Sequence, residues 1–149
     1  MSALSLGSSR YLVDNSAYVW VQRGPAKLRD EWLRTTRSGQ LLICAPFMLE
    51  ALYSATNEAT YMRQLDDLRT GFELVVCDAE TWTLALDAQR QLAAVAPAFH
   101  RRPPADLLLA ATAHQHRLGV LHYDEDYDKI AEHTGLDFES RWLAPRGSL

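Results

Sequence analysis

The chain is organised around its first apolar run, Arg10-Tyr-Leu-Val-Asp-Asn-Ser-Ala-Tyr-Val-Trp20. Tyr11–Val13 are apolar and include aromatic and β-branched side chains, which favours a short buried strand. Asp14 ends this apolar run, and Asn15 and Ser16 are typical helix-start residues. A carboxylate at the carboxyl end of a strand lies where open α/β sheets bind their ligands. Asp14 or Ser16 could instead simply cap the following helix. Whether Asp14 belongs to a functional site is therefore judged from the other carboxylates of the chain.

Further apolar runs alternate with helical segments along the rest of the chain. The pattern predicts strands at 40–45, 72–77 and 120–122 and a short edge strand at 138–143. Helices are predicted at 16–22, 26–37, 46–55, 60–69, 79–96, 105–116 and 126–133. The strand at 40–45 is continuously apolar, as expected where both faces of a parallel sheet are covered. We therefore predict an α/β fold, a three-layer α/β/α sandwich around a mostly parallel sheet of four to five strands.

The composition is that of one ordinary globular domain. We expect this domain to span 10–144, with tails at 1–9 and 145–149, in a chain of 149 residues. A net charge of −4 argues against an indiscriminate polyanion binder, but it allows a nucleic-acid enzyme that uses local basic residues and metal ions. Neither a secretory signal nor a membrane-spanning run is visible, so we expect a cytoplasmic protein. Cys44 and Cys77 lie in apolar runs and are expected to be buried and reduced.

Two carboxylates stand alone in apolar surroundings. Glu50 is the only formally charged residue in 41–56, and Asp106 is the only one in 103–115. A buried carboxylate without a partner is costly, so it either becomes neutral or binds a cation. The structural alternatives are that Glu50 lies at a solvated edge of its helix and that Asp106 interacts with the dipole of a first helical turn.

The long helix at 79–96 is expected to turn Trp82, Leu86 and Ala93 inward.

A third acidic group follows the strand at 120–122. Asp124 comes first after this strand and Tyr123, and Asp126 is the next candidate. Because parallel strands end at one sheet edge, these residues, Asp14 and the two isolated carboxylates are expected to share a pocket. Clustered carboxylates repel one another unless a divalent cation compensates them. Oxygen ligands without His or Cys select Mg²⁺ or Mn²⁺, and such an ion can activate water for phosphodiester hydrolysis.

Four segments of the chain together resemble the acidic motifs of PIN-domain nucleases, and most of all the VapC toxins of toxin–antitoxin modules. They are Val13-Asp-Asn-Ser-Ala17, Pro46-Phe-Met-Leu-Glu50, Pro104-Ala-Asp-Leu-Leu-Leu-Ala-Ala111 and His122-Tyr-Asp-Glu-Asp-Tyr-Asp-Lys-Ile130. The resemblance covers nearly the whole chain, with the motifs in the right order. It implies a Mg²⁺- or Mn²⁺-dependent endoribonuclease, a cognate VapB-like antitoxin that occupies the site, and frequent homodimerisation.

The resemblance also assigns roles by position. Asp14, Glu50, Asp106 and Asp124 would form the acidic quartet that holds the metal, Asp126 would be an additional ligand, and Ser16 would be the hydroxyl beside the first aspartate. Separately, Arg101 and Arg102 could contact RNA phosphates at the mouth of the site, although a solvated loop is the alternative.

Three other functions remain open at this level. One is a PIN-domain RNA-processing nuclease outside a toxin–antitoxin module, and another is a non-cleaving RNA-binding or scaffold protein. The third is a phosphatase of the haloacid-dehalogenase type, which also begins with an aspartate at a strand end. That class usually has a second aspartate two positions later, where this chain has Ser16.

Overall fold

The protein is described here by a computed structural model covering residues 4–149. Five parallel strands form one sheet in the order β3-β2-β1-β4-β5. The strands are β1 (Tyr11–Val13), β2 (Leu41–Cys44), β3 (Glu73–Val75), β4 (Gly119–His122) and β5 (Ser140–Trp142). The helices are α1 (Asn15–Arg23), α2 (Ala26–Arg37), α3 (Ala45–Leu52), α4 (Glu58–Gly71), α5 (Ala79–Ala93), α6 (Pro104–His116) and α7 (Asp126–His133). The predicted α/β class is confirmed.

The strand of the opening stretch, β1, lies at the centre of the sheet. Tyr11 is opposite Leu41 of β2 on one side and Gly119 of β4 on the other. The register continues to the carboxyl end, where Val13 is opposite Leu121 and the Asp14 amide donates to the Leu121 carbonyl at 3.0 Å. Gly119 is required by the close packing here, because a Cβ at that position would lie 2.5 Å from atoms of the Tyr11 ring. The ends of β1 and β4 therefore lie side by side.

The inward face predicted for α5 is wrong. Trp82 and Leu86 are 57% and 66% exposed, and Ala93 is exposed as well. The buried residues of α5 are Thr81, Ala85, Ala88 and Leu92. Most of these are small, and α5 packs against α6 on this side, so the helices approach closely and the two large apolar side chains are left outside.

The cysteines also differ from the expectation. Cys44 is buried as predicted, but Cys77 is partly exposed, and both thiols are free.

The chain ends pack onto the domain: Leu4 and Leu6 are buried, and the amide of Leu149 donates to the Tyr123 hydroxyl at 3.0 Å. Within residues 4–149, none of the helices combines the length and apolarity needed to cross a membrane.

Candidate active site

Asp14 is held rigidly at the end of β1. It caps α1, and one carboxylate oxygen, Oδ2, accepts from the Ser16 amide at 2.9 Å and from the Ser16 hydroxyl at 2.5 Å. The Ser16 hydroxyl in turn accepts from the Tyr123 amide, which follows β4, at 2.9 Å. Asp14 is only 4% exposed. The capping role and a role in a site are thus combined in one residue, because Asp14 still has its second oxygen directed elsewhere.

That second oxygen faces Asp106 across a tyrosine hydroxyl. Tyr127 of α7 donates to Oδ1 of Asp14 at 2.6 Å and lies 3.3 Å from Oδ1 of Asp106. Burial and then Asp14 raise the pKa of Tyr127 well above its ordinary value, so the hydroxyl keeps its proton and acts as a donor. Tyr127 was not predicted as a site residue, although Tyr127 and Ile130 are spaced as one buried face of α7.

Asp106 is the most strongly perturbed carboxyl in the site. Pro103 and Pro104 begin α6 just before it, and its side chain is buried in the first turn. Burial, followed by the charges of Asp14 and Asp124, raises the pKa of Asp106 from 3.8 to about 8. Its Oδ2 atom is buried and has no hydrogen-bond partner within residues 4–149.

Oxygens of Asp106, Asp124 and Asp126 all lie within 4.8 Å of one another. This is slightly wider than the distance of about 4.2 Å between oxygens on opposite sides of a Mg²⁺ ion. Together with the unpartnered oxygen of Asp106, this all-oxygen donor set fits a small divalent cation. Asp124 is itself oriented, because its Oδ1 accepts from the Asp126 amide at 3.0 Å.

Glu50 lies at the rim of the same acidic region. It is partly exposed on α3, and burial followed by the charge of Asp14 raises its pKa above the ordinary value. Beside it opens a groove of about 700 Å³, whose walls include Asn15, Leu49, Tyr53, Cys77 and Trp82. Leu49 and Tyr53 are 71% and 90% exposed. The carboxylates therefore adjoin a largely apolar surface.

The two neighbouring arginines are placed differently. Arg102 forms an ion pair with Asp126, its side chain is only 10% exposed, and its Cζ lies 4.6 Å from the centre of the Phe99 ring. Arg101 is exposed on the loop before α6. Arg101 is thus available at the surface, whereas Arg102 is bound to one of the predicted metal ligands.

A buried histidine lies behind the carboxylates. His122 accepts from the Asp124 amide at Nδ1 (3.1 Å), which places its proton on Nε2, and Nε2 is 2.7 Å from the Ser140 hydroxyl. That hydroxyl donates to Asp128 at 2.6 Å. Burial lowers the pKa of His122 to about 4, so the ring is neutral at physiological pH. Sequence spacing gave no signal for this chain of contacts, because Ser140 belongs to the neighbouring strand.

This geometry agrees with what sequence comparison shows. Residues 11–133 match the family model described as PIN domain. The chain belongs to the PIN-domain family.

Within this family, the chain is similar to proteins named as VapC ribonucleases. The chain is 39% identical to Ribonuclease VapC18 of Mycobacterium tuberculosis over 93% of its own length and 98% of the relative's. It is 35% identical to Ribonuclease VapC51 of the same organism over 94% and 97%, respectively. Among solved structures, DNA-bound VapBC from Salmonella typhimurium has a TM-score of 0.69 at 13% identity, covering 91% of this chain and 99% of the other. This last likeness concerns the fold.

Proposed function

We propose that the protein is an endoribonuclease toxin that hydrolyses RNA phosphodiester bonds with Mg²⁺ or Mn²⁺ and acts in the cytoplasm under the control of a VapB-like antitoxin. The similarity to the VapC ribonucleases extends over nearly the whole chain. The single observation that carries the metal dependence is the state of Asp106. Its buried Oδ2 has no partner within residues 4–149, and two other carboxylates lie beside it.

Each carboxylate has a proposed role. Asp14, Glu50, Asp106 and Asp124 would hold the cation as the acidic quartet. Oxygens of Asp106 and Asp124 cluster with an oxygen of Asp126, which would be an additional ligand with its remaining charge balanced by Arg102. A bound cation supplies a Lewis acid that lowers the pKa of water and stabilises charge on the phosphate. Ser16 orients Asp14 through its hydroxyl. Asp106 is favoured as the central ligand. Its high pKa shows that its ionised form is the most destabilised of the carboxylates, so a nearby cation would stabilise it most.

The substrate would approach from the exposed side of this cluster. Arg101 lies on the loop that precedes Asp106, so its guanidinium could contact an RNA phosphate. Arg102 already pairs with Asp126. We therefore propose that Arg102 holds this carboxylate in place, in addition to the contact with RNA expected from the sequence. Base selectivity would depend on the loops around the site, because the carboxylates act on the backbone that all RNAs share.

The apolar groove next to Glu50 is assigned to the antitoxin. Exposed apolar patches of this kind commonly mark protein–protein contacts. Leu49, Tyr53 and Trp82 line a groove that also includes Glu50, so an apolar antitoxin segment bound there would lie beside the carboxylates and hinder RNA. The alternative occupant of this surface is a second copy of the chain, which would give a homodimer. A substitution in the groove distinguishes the two occupants by whether it abolishes antitoxin binding or self-association.

The direct test is cleavage of total cellular RNA with Mn²⁺ by antitoxin-free protein. Wild type is compared with Asp14→Asn, with an EDTA control, and with Asp66→Asn as a matched control, because Asp66 is an exposed acid of α4. We expect discrete fragments from wild type and Asp66→Asn in the presence of metal, and loss of cleavage in Asp14→Asn without loss of the fold.

Cleavage at an unchanged rate by Asp14→Asn, or in excess EDTA, would contradict the proposed chemistry. If the folded wild type leaves all RNA intact yet binds it, the non-cleaving scaffold function would replace the nuclease. If no small protein encoded beside the gene of this chain inhibits cleavage, an RNA-processing nuclease outside a toxin–antitoxin module would be favoured instead. Sequencing of the fragment ends would identify the RNA.

A further inference from the structure

The hydroxyl of Tyr127 contacts two members of the acidic quartet, Asp14 and Asp106. Within residues 4–149, no other atom forms hydrogen bonds to two of these four carboxylates. The Tyr127 hydroxyl donates to Oδ1 of Asp14 at 2.6 Å, and Oδ1 of Asp106 is 3.3 Å away. A phenol has one proton, so the short contact with Asp14 is the principal bond and the longer one is a weak second branch. The hydroxyl therefore separates two carboxylates that come from distant parts of the chain.

The ring of Tyr127 has little freedom to move. Tyr127 is completely buried, and its ring packs on the imidazole of His122 with ring centres 4.9 Å apart. The imidazole is itself fixed between the Asp124 amide and the Ser140 hydroxyl, as described above. The position of the phenol oxygen is thus set by β4 and β5 as well as by α7.

The opposite side of Asp14 is fixed as well. Its Oδ2 accepts two hydrogen bonds from Ser16, while Oδ1 accepts from Tyr127. Each carboxylate oxygen has a second lone pair, so Oδ1 of Asp14 and Oδ1 of Asp106 can both still bind a cation. With both oxygens restrained, Asp14 cannot rotate toward or away from Asp106.

We propose that Tyr127 is a positioning residue, whose hydroxyl presets the orientation of Asp14 and its separation from Asp106 for a divalent cation. This inference rests on the proposed metal-dependent function. Groups that orient metal ligands typically change metal affinity by about 10- to 100-fold when they are removed. Tyr127 acts here through the carboxylates and is given no contact with the substrate.

The experiment compares Tyr127→Phe with wild type and with Tyr11→Phe. The control is matched, because Tyr11 is also a buried tyrosine whose hydroxyl donates to a carboxylate, Glu139 at 2.6 Å, at the opposite end of β1 from Asp14. Both substitutions keep the ring, and circular dichroism and urea unfolding verify the fold. Metal-free proteins are titrated calorimetrically with Mn²⁺, and RNA cleavage is measured over a range of Mn²⁺ concentrations.

We expect Tyr127→Phe to bind Mn²⁺ at least about 10-fold more weakly than wild type, with cleavage partly restored at high Mn²⁺. Tyr11→Phe should bind Mn²⁺ as wild type does, even if it is less stable. Equal or tighter Mn²⁺ binding by Tyr127→Phe would overturn the inference while leaving the metal-dependent function intact. Absence of Mn²⁺ binding by folded wild type would overturn the proposed metal dependence itself, and the positioning role with it.

Discussion

Replacing Asp106 by asparagine should make the metal-free protein more stable at neutral and alkaline pH. Asp106 is 5% exposed and lies among other carboxylates, and its pKa in the folded protein is raised from 3.8 to about 8. Between these two values the folded chain keeps a proton that the unfolded chain has lost. Stability therefore falls as the pH rises from about 4 to about 8, and the destabilisation is complete above the folded pKa.

The size of this effect follows from the pKa difference. A shift from 3.8 to about 8 corresponds to roughly 6 kcal/mol above pH 8, because each unit is worth about 1.4 kcal/mol. Asparagine has nearly the same shape and no charge, so Asp106→Asn removes this cost. The neighbouring carboxylates relax in the folded protein and reduce the gain, so we expect an increase of a few kcal/mol.

Urea unfolding in EDTA at about pH 5 and about pH 8 measures the prediction. The difference in unfolding free energy between Asp106→Asn and wild type should be small at the lower pH and large at the higher one. Added Mn²⁺ should stabilise wild type, by about 2.7 kcal/mol at a concentration of 100 Kd, and should stabilise the variant much less. Parallel pH profiles for the two proteins would contradict the raised pKa of Asp106, and equal stabilisation by Mn²⁺ would contradict its role as a metal ligand.

Two further predictions concern the surface of the site. Arg101→Ala should raise KM for RNA several-fold with little change in kcat and lower the salt dependence of binding by about one phosphate contact. Arg37→Ala is the control, because Arg37 is an exposed arginine at the end of α2, and an unchanged KM in Arg101→Ala would contradict the assignment. Trp82→Glu should fold normally, because Trp82 is 57% exposed, and should no longer co-purify with the VapB-like antitoxin that we propose as its partner. A complex as stable as that of wild type would exclude the groove as the antitoxin site, and loss of self-association instead would assign the groove to a homodimer.

The backbone plan could be predicted from the sequence because its signals are local. Apolar runs gave the strands, and Asp14 and Asp106 stood out because each follows an apolar run or a proline pair without a nearby countercharge. The sequence also indicated that these acids meet at one sheet edge. Their approach through β1, β4 and α6 agrees with that expectation.

Contacts between distant segments could not be predicted in the same way. Arg102 and Asp126 are 24 positions apart, and they are seen to pair only in the folded structure, where the loop before α6 lies beside the start of α7. Trp82 and Leu86 were expected inside because large apolar residues are usually buried, but the close packing of α5 uses alanines. Tyr127 was overlooked because its role depends on a hydroxyl that reaches Asp14, 113 positions earlier in the chain.

The position of β1 in the sheet has a consequence for the order in which the protein is made. β1 is synthesised first, but its two neighbours are β2, which follows soon, and β4, which begins at Gly119. Asp106, Asp124 and Tyr127 all belong to the last third of the chain. An incomplete nascent chain thus carries Asp14 without the residues that surround it in the finished fold, so the acidic site is assembled only after Tyr127 has been synthesised.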